Sequence, residues 1–218
     1  MPAAAHIAEN ITHSAHSRTD TARLAGGLYL VIIVTGLTAE LALRGPALVD
    51  GLTPADIPAL RHSMLADVVM ILADIALAVA FYQFLQPVHA TRALAAMIFR
   101  LLQASLIGTS LILLSAVPAL IESNPALAAT LAQMHASGYD IGLILFGVNS
   151  LLMASLLRAT AIPRALPPML AASGLVYITG GLTRLAAPHW TTTLEPAYLL
   201  CIVTETALAL WLLTRARL

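Results

Sequence analysis

An all-α membrane protein, a bundle of six transmembrane helices, is the fold class this sequence predicts, and three observations predict it. The hydrophobic fraction is 59% and only 10% of residues are charged, against roughly 45–50% and 25% in soluble domains. Apolar windows long enough to cross about 30 Å of hydrocarbon recur along the chain. The polar breaks between them carry helix-starting signals rather than an alternating strand pattern.

Taken in order, the first window is 22–43, behind a polar stretch, residues 1–20, that reads as a disordered tail containing His6, His13 and His16. At about 20 residues this window exceeds the 7–15 of a signal-peptide core, so it reads as an uncleaved first span. Asp20 is a candidate cap for it. Asp56 and Pro58 precede the second window, 64–85, and a short loop leads to the third, 93–117. Asn124-Pro125 opens the fourth, 126–157, whose leading segment PALAATLAQM is surplus to a crossing and is expected outside the hydrocarbon core or at its surface. Pro167-Pro168 opens the fifth, 166–187, and Glu195-Pro196 the sixth, 196–213. Residues 21–218 form a single transmembrane domain on this reading.

Arginine placement orients the bundle. Arg18, Arg23, Arg92, Arg158, Arg164, Arg215 and Arg217 fall on one side; Arg44, Arg61 and Arg184 fall on the other, with Asp50, Asp56, Glu122 and Glu195. The positive-inside rule then places both termini in the cytoplasm. Net charge is zero and there is no lysine, so no basic face exists for nucleic acid. The partner implied is the lipid bilayer. Cys201 stands alone and forms no intrachain disulfide.

Polar residues inside the windows carry the functional signal. Arg100 lies within AMIFRLLQASLIG, where an arginine costs roughly 2.5–3.5 kcal/mol on insertion scales and needs a partner. Counting 1.5 Å per residue from the cytoplasmic ends puts Asp74 roughly 17 Å deep, Arg100 about 10, Glu205 about 12, Gln103 about 15 and Asn149 about 12. Asp74 and Arg100 occupy the two arms of one hairpin, and an ion pair is expected between them. Glu205 is then left without a cation. It must carry a proton, bond to Gln103 or Asn149, or be hydrated.

A second layer near the outer surface holds Glu40, Asp67, His135, Asp140 and Arg184, with Arg44 just beyond. Glu40 and Arg44, four apart, are expected to pair locally. Each layer also has a plain structural explanation: ion pairs that lock helices together, and interfacial solvation. Gly138, Gly142, Gly174, Gly180 and Gly181 read as close-packing positions.

Cofactor and metal chemistry find little support. A b-type haem needs facing histidines at one depth, and only His135 is near the interior. A hydrolytic zinc set of His135, Asp67 and Glu40 is conceivable but has a single histidine. No phosphate loop and no G-x-S-x-G elbow is present. No cofactor or metal is expected. Acid–base chemistry has better candidates in Glu205, Asp67, His135 and Glu40.

Several segments in order resemble a known family: AEL–LR around Glu40 and Arg44, the Asp74 segment with its Gln-Pro-Val exit, FRL–QA around Arg100, and H–x2–GY–x2–GL–x2–FG from His135. The pattern is similar to the bacterial membrane family called domain of unknown function 4386, over nearly the whole chain after residue 20. The resemblance implies a six-helix integral membrane protein and no particular activity. In that family the position of Asp140 is usually apolar and that of Asn149 often histidine, which weakens both as carriers of a shared mechanism.

The expectation drawn from all this is a protein of the bacterial inner membrane. Its favoured role is that of a small binding or accessory protein for an apolar or amphiphilic, lipid-like ligand, with a buried polar cluster of Asp74, Arg100, Gln103, Asn149 and Glu205. The alternatives are a membrane-embedded acid–base enzyme acting on a lipid or isoprenoid, and a proton-coupled transporter.

Overall fold

The structure is a computed structural model that describes residues 19–48 and 51–214 in full and the backbone alone of residues 2–18, 49 and 50. The expected disordered tail, residues 1–20, falls up to residue 18 outside the fully described residues. All the regular structure among the described residues is helical. Five stretches are long and apolar enough to cross a membrane: Thr19–Leu48, Pro54–Leu120, Pro125–Leu157, Leu166–Ala186 and Pro188–Thr214.

Helix α1 (Pro2–Leu37) runs straight through Asp20, which therefore does not cap it. It passes into a π-helical segment, Thr38–Arg44, and then a short α2 (Gly45–Asp50). The widened turn closes on a bond from the Gly45 N–H to the Glu40 carbonyl, five residues back. A Cβ on Gly45 would stand 2.5 Å from that oxygen, so glycine is required there. Pro46, which has no N–H to offer, follows at once and tolerates the changed register. A turn of this kind shifts the facing of side chains by one position and often marks a functional site. Here it carries Glu40 and Arg44.

Thr53 and Asp56 form a capping box over the next turn, with the Thr53 N–H and hydroxyl on the Asp56 carboxylate at 2.8 and 2.7 Å. Helix α3 (Ile57–Leu120) is about three times the length a crossing needs. It breaks at His89, whose backbone is extended (φ −163°, ψ 97°). Pro87 weakens the helix just before the break by removing an N–H and crowding the preceding turn. His89 then restarts it, its Nδ1 accepting the Arg92 N–H at 3.3 Å as an N-cap side chain does. The two arms, 57–88 and 90–120, fold back along each other: Asp74 meets Arg100, and Leu60 packs with Leu114 and Val117.

Asn124 opens α4 (Pro125–Leu157) by accepting the Leu127 N–H at 3.2 Å. Seven of its first ten residues are exposed and two are buried. Ala128 and Ala132 are fully buried against Leu60, Leu114 and Ile121, since α3 is long enough to accompany them. Helix α5 (Leu166–Ala186) meets α4 where Gly147 and Gly174 face each other; a Cβ on either would come within 2.7 Å of the other's carbonyl oxygen. The short α6 (Thr191–Leu194) leads to α7 (Tyr198–Thr214), which lies along α1 and α5. One end of the bundle is filled by Leu77, Leu85, Leu157 and Leu208, the other by Leu60, Leu114 and Val117. The periphery exposes large apolar residues such as Leu41, Leu72 and Ile112. Five charged residues in the helices, Arg44, Asp67, Asp74, Arg100 and Glu205, turn inward.

Candidate functional site

Two polar clusters are held inside this bundle. The inner one begins with the hairpin of α3. Asp74 Oδ1 receives Arg100 Nε at 2.7 Å and stands 2.6 Å from Nη2. Both residues are fully buried. The guanidinium is further surrounded by the rings of Tyr29, Phe81 and Phe146, with centroids 5.2, 5.9 and 5.1 Å away. Attraction to the ring faces offsets part of the cost of taking the ion out of water. Gln103, one turn beyond Arg100, is buried near the Asp74 carboxylate.

Glu205 joins the same network from α7, though not through the partners expected of it. Neither Gln103 nor Asn149 meets it. Tyr177 of α5 donates its hydroxyl to Glu205 Oε1 at 2.7 Å. Tyr29 of α1 stands near both Glu205 and Arg100, its ring centroid 5.2 Å from the Arg100 guanidinium. Asn149 instead donates its amide to the Ala96 carbonyl at 2.7 Å, pinning α4 to the second arm of α3. A cavity of about 10 Å³ lies beside Arg100 and Asn149, lined also by Phe81, Tyr82 and Met153. That is room for about one water.

The outer cluster gathers on the π-helical segment. Arg44 donates Nη2 and Nε to Glu40 Oε2 at 2.7 and 3.1 Å, the local pairing expected. It also donates Nη1 to Asp67 Oδ2 at 2.6 Å, a pairing across 23 residues. The guanidinium lies 5.7 Å over the ring of Tyr139, and Tyr139 stands edge-on to His135 at 6.2 Å. His135 Nδ1 is 3.0 Å from Ser110 Oγ. Asp67 and His135 are buried, while the Glu40 side chain is 53% exposed. Asp67 Oδ1 and His135 Nε2 have no hydrogen-bond partner among the described residues.

Most of the residues singled out from the sequence are thus brought together, in two groups. Asp74, Arg100, Gln103 and Glu205 form one; Glu40, Arg44, Asp67 and His135 form the other. Asp140 and Arg184 stand apart in a looser pair at 3.6 Å on the α4–α5 side, with Arg184 partly exposed. Among the described residues no three His, Cys, Asp or Glu side chains are placed to share a metal ion, so Glu40, Asp67 and His135 do not make a zinc set. Sequence reasoning passed over Tyr29, Tyr177, Ser110 and Tyr139. A hydroxyl inside an apolar window is itself a signal, because a buried tyrosine usually finds a polar partner.

The clusters differ in what they can do. The inner one has two carboxylates for one arginine, with Arg100 Nη2 and Gln103 Oε1 left without a hydrogen-bond partner among the described residues, and a space of about 10 Å³ beside Arg100. The outer one leaves two buried acceptor-capable atoms unpaired and connects through Glu40 to the surface.

The family model described as Domain of unknown function (DUF4386) matches residues 24–216, in keeping with the resemblance read from the motifs. No curated protein and no solved structure matches the chain.

Proposed function

The chain belongs to the family of Domain of unknown function (DUF4386), and from that premise we propose a six-crossing protein of the bacterial inner membrane that binds the polar end of an amphiphilic ligand at Glu40, Arg44, Asp67 and His135. Six crossings follow if each arm of α3, 57–88 and 90–120, spans separately, since each exceeds the roughly 17–25 residues a crossing takes. The arginine asymmetry then keeps both termini in the cytoplasm and the outer cluster at the far surface.

One observation carries the binding reading: Asp67 Oδ1 and His135 Nε2 are buried without a partner among the described residues. Buried polar atoms are nearly always hydrogen-bonded, and leaving one unmet costs about 1–3 kcal/mol. A ligand head that meets both recovers that cost. The inner cluster is the weaker candidate for a lipid-sized ligand, because Asp74 and Arg100 already hold each other around a space of about 10 Å³.

The test is native mass spectrometry on protein taken gently from its own membranes, beside a His135→Ala variant of matched helicity and melting temperature. A stoichiometric small-molecule adduct on the parent protein and absent from the variant supports the reading. An adduct-free parent, or an equal adduct on both, overturns it.

A second reading, proton-coupled transport or acid catalysis through Glu205, draws on a different observation. Asp67, Asp74 and Asp140 each face an arginine, whereas Glu205 receives a tyrosine hydroxyl instead. A carboxyl kept neutral in such a place is suited to passing a proton. Substrate-dependent proton flux in liposomes, lost in Glu205→Gln, is the result that would favour it.

A further inference from the structure

The hydrogen bonding around His135 sets the chemistry of what the outer cluster takes. The Ser110 hydroxyl has one hydrogen, and it is assigned to the shorter of two contacts, 2.7 Å to the Ile107 carbonyl against 3.0 Å to His135 Nδ1. Ser110 Oγ therefore meets His135 Nδ1, 3.0 Å away, as an acceptor. The imidazole proton is accordingly on Nδ1, and in the neutral ring Nε2 is a bare lone pair. Asp67 Oδ1 is an acceptor as well, because Arg44 occupies only the other oxygen of that carboxylate. The two unmet atoms, one in a residue 1% exposed and one in a residue 0% exposed, thus ask for the same thing. Both need a donor.

Charge points the same way. Glu40 and Asp67 bring two carboxylates to the single guanidinium of Arg44, and His135 adds no positive charge in its neutral form. The nearby Tyr139 hydroxyl is turned to Met70 Sδ at 3.6 Å. A phosphate or carboxylate head would face Asp67 and Glu40 and find Arg44 already bound on both sides.

We infer that the outer cluster selects an amphiphile whose head is an ammonium group: its N–H groups bond to Asp67 Oδ1 and His135 Nε2, with Glu40 at the entrance. This rests on the binding reading above and names its ligand class. Donors on an ammonium ion make the stronger, charge-assisted bonds, which separates it from a neutral alcohol.

The probes are dodecylamine, dodecanol and dodecanoate, identical in chain and different in head, titrated into the full chain in maltoside micelles and read by native mass spectrometry. Dodecylamine is expected to bind about tenfold more tightly than dodecanoate, a margin of one good charge-assisted bond. His135→Ala is expected to abolish the preference. Ser110→Ala provides a milder variant: it keeps the imidazole but frees the proton to move to Nε2, and the preference should shrink with folding intact. If dodecanoate binds as well as dodecylamine and depends on His135, the donor assignment fails while the site itself stands. If no probe shows His135-dependent binding, the ammonium inference is overturned, and the adduct from native membranes decides the binding reading separately.

Discussion

Arg100 brings two of its nitrogens to a single oxygen of Asp74, Nε at 2.7 Å and Nη2 at 2.6 Å, from the opposite arm of one broken helix. The contact is what the break at His89 makes possible, and it ties the two arms at mid-length. Removing one partner of a buried pair strands the other charge, at a cost of about 3–5 kcal/mol, while replacing both is far milder. Asp74→Asn is therefore expected to lower the melting temperature in detergent markedly, and Asp74→Asn with Arg100→Gln to regain a large part of it. An unchanged melting temperature in the single variant would show that the pair does not hold the arms together.

Glu205 should respond differently. The arginine of its cluster is already engaged by Asp74, and its own bond comes from the Tyr177 hydroxyl. A neutral carboxylic acid is well imitated by an amide, so Glu205→Gln is expected to cost less than about 1 kcal/mol, well below the stranded-charge cost of Asp74→Asn. Tyr177→Phe removes the donor and should cost about 1–3 kcal/mol. Chemical denaturation of the three variants ranks them, and a Glu205→Gln loss as large as that of Asp74→Asn would mean the carboxyl is ionised in the folded protein.

The pairing of Asp74 with Arg100 was legible in the sequence because distance from the turn decides it: a hairpin brings both to a similar level along its two arms, and each needs the other. The helix starts at Asn124 and Leu166 were legible for the same kind of local reason, a proline in the first turn behind a polar or turn residue. Depth does not fix the rotation of one helix against another, which is why the Arg44–Asp67 bond across 23 residues was missed and why Tyr177 was not among the partners weighed for Glu205. The π-helical turn was hidden for a further reason. It depends on the Gly45 N–H choosing the Glu40 carbonyl over its neighbour, and no periodicity in the apolar residues reports that choice.

The meeting of α4 and α5 yields a sharp contrast between glycines. A Cβ on Gly147 would stand 2.6 Å from the Gly174 carbonyl oxygen, against backbone that cannot move aside cheaply. Gly147→Ala should destabilise the protein by about 1–3 kcal/mol through overpacking. Gly27 has nothing within 4 Å of the same construction, and alanine there should be neutral or gain up to about 1 kcal/mol from helix propensity. Thermal melts of the two variants side by side give the comparison. Equal effects would mean that α4 and α5 are not in contact at these positions.

Labelling can decide whether the arms of α3 cross the membrane separately. Thr91 lies just after the break, and Ser123 lies in the turn between α3 and α4. If the arms span one after the other, these positions end on opposite sides, Thr91 with the arginine-rich cytoplasmic face and Ser123 outside. The only natural cysteine, Cys201, is fully buried and can be replaced by alanine to give a silent background. In intact cells a membrane-impermeant maleimide is expected to label Ser123→Cys, and to reach Thr91→Cys only after the membrane is opened. Labelling of both from outside would leave α3 as one bent element at the surface. Labelling of Thr91→Cys alone would invert the bundle and move the ammonium site to the cytoplasmic face.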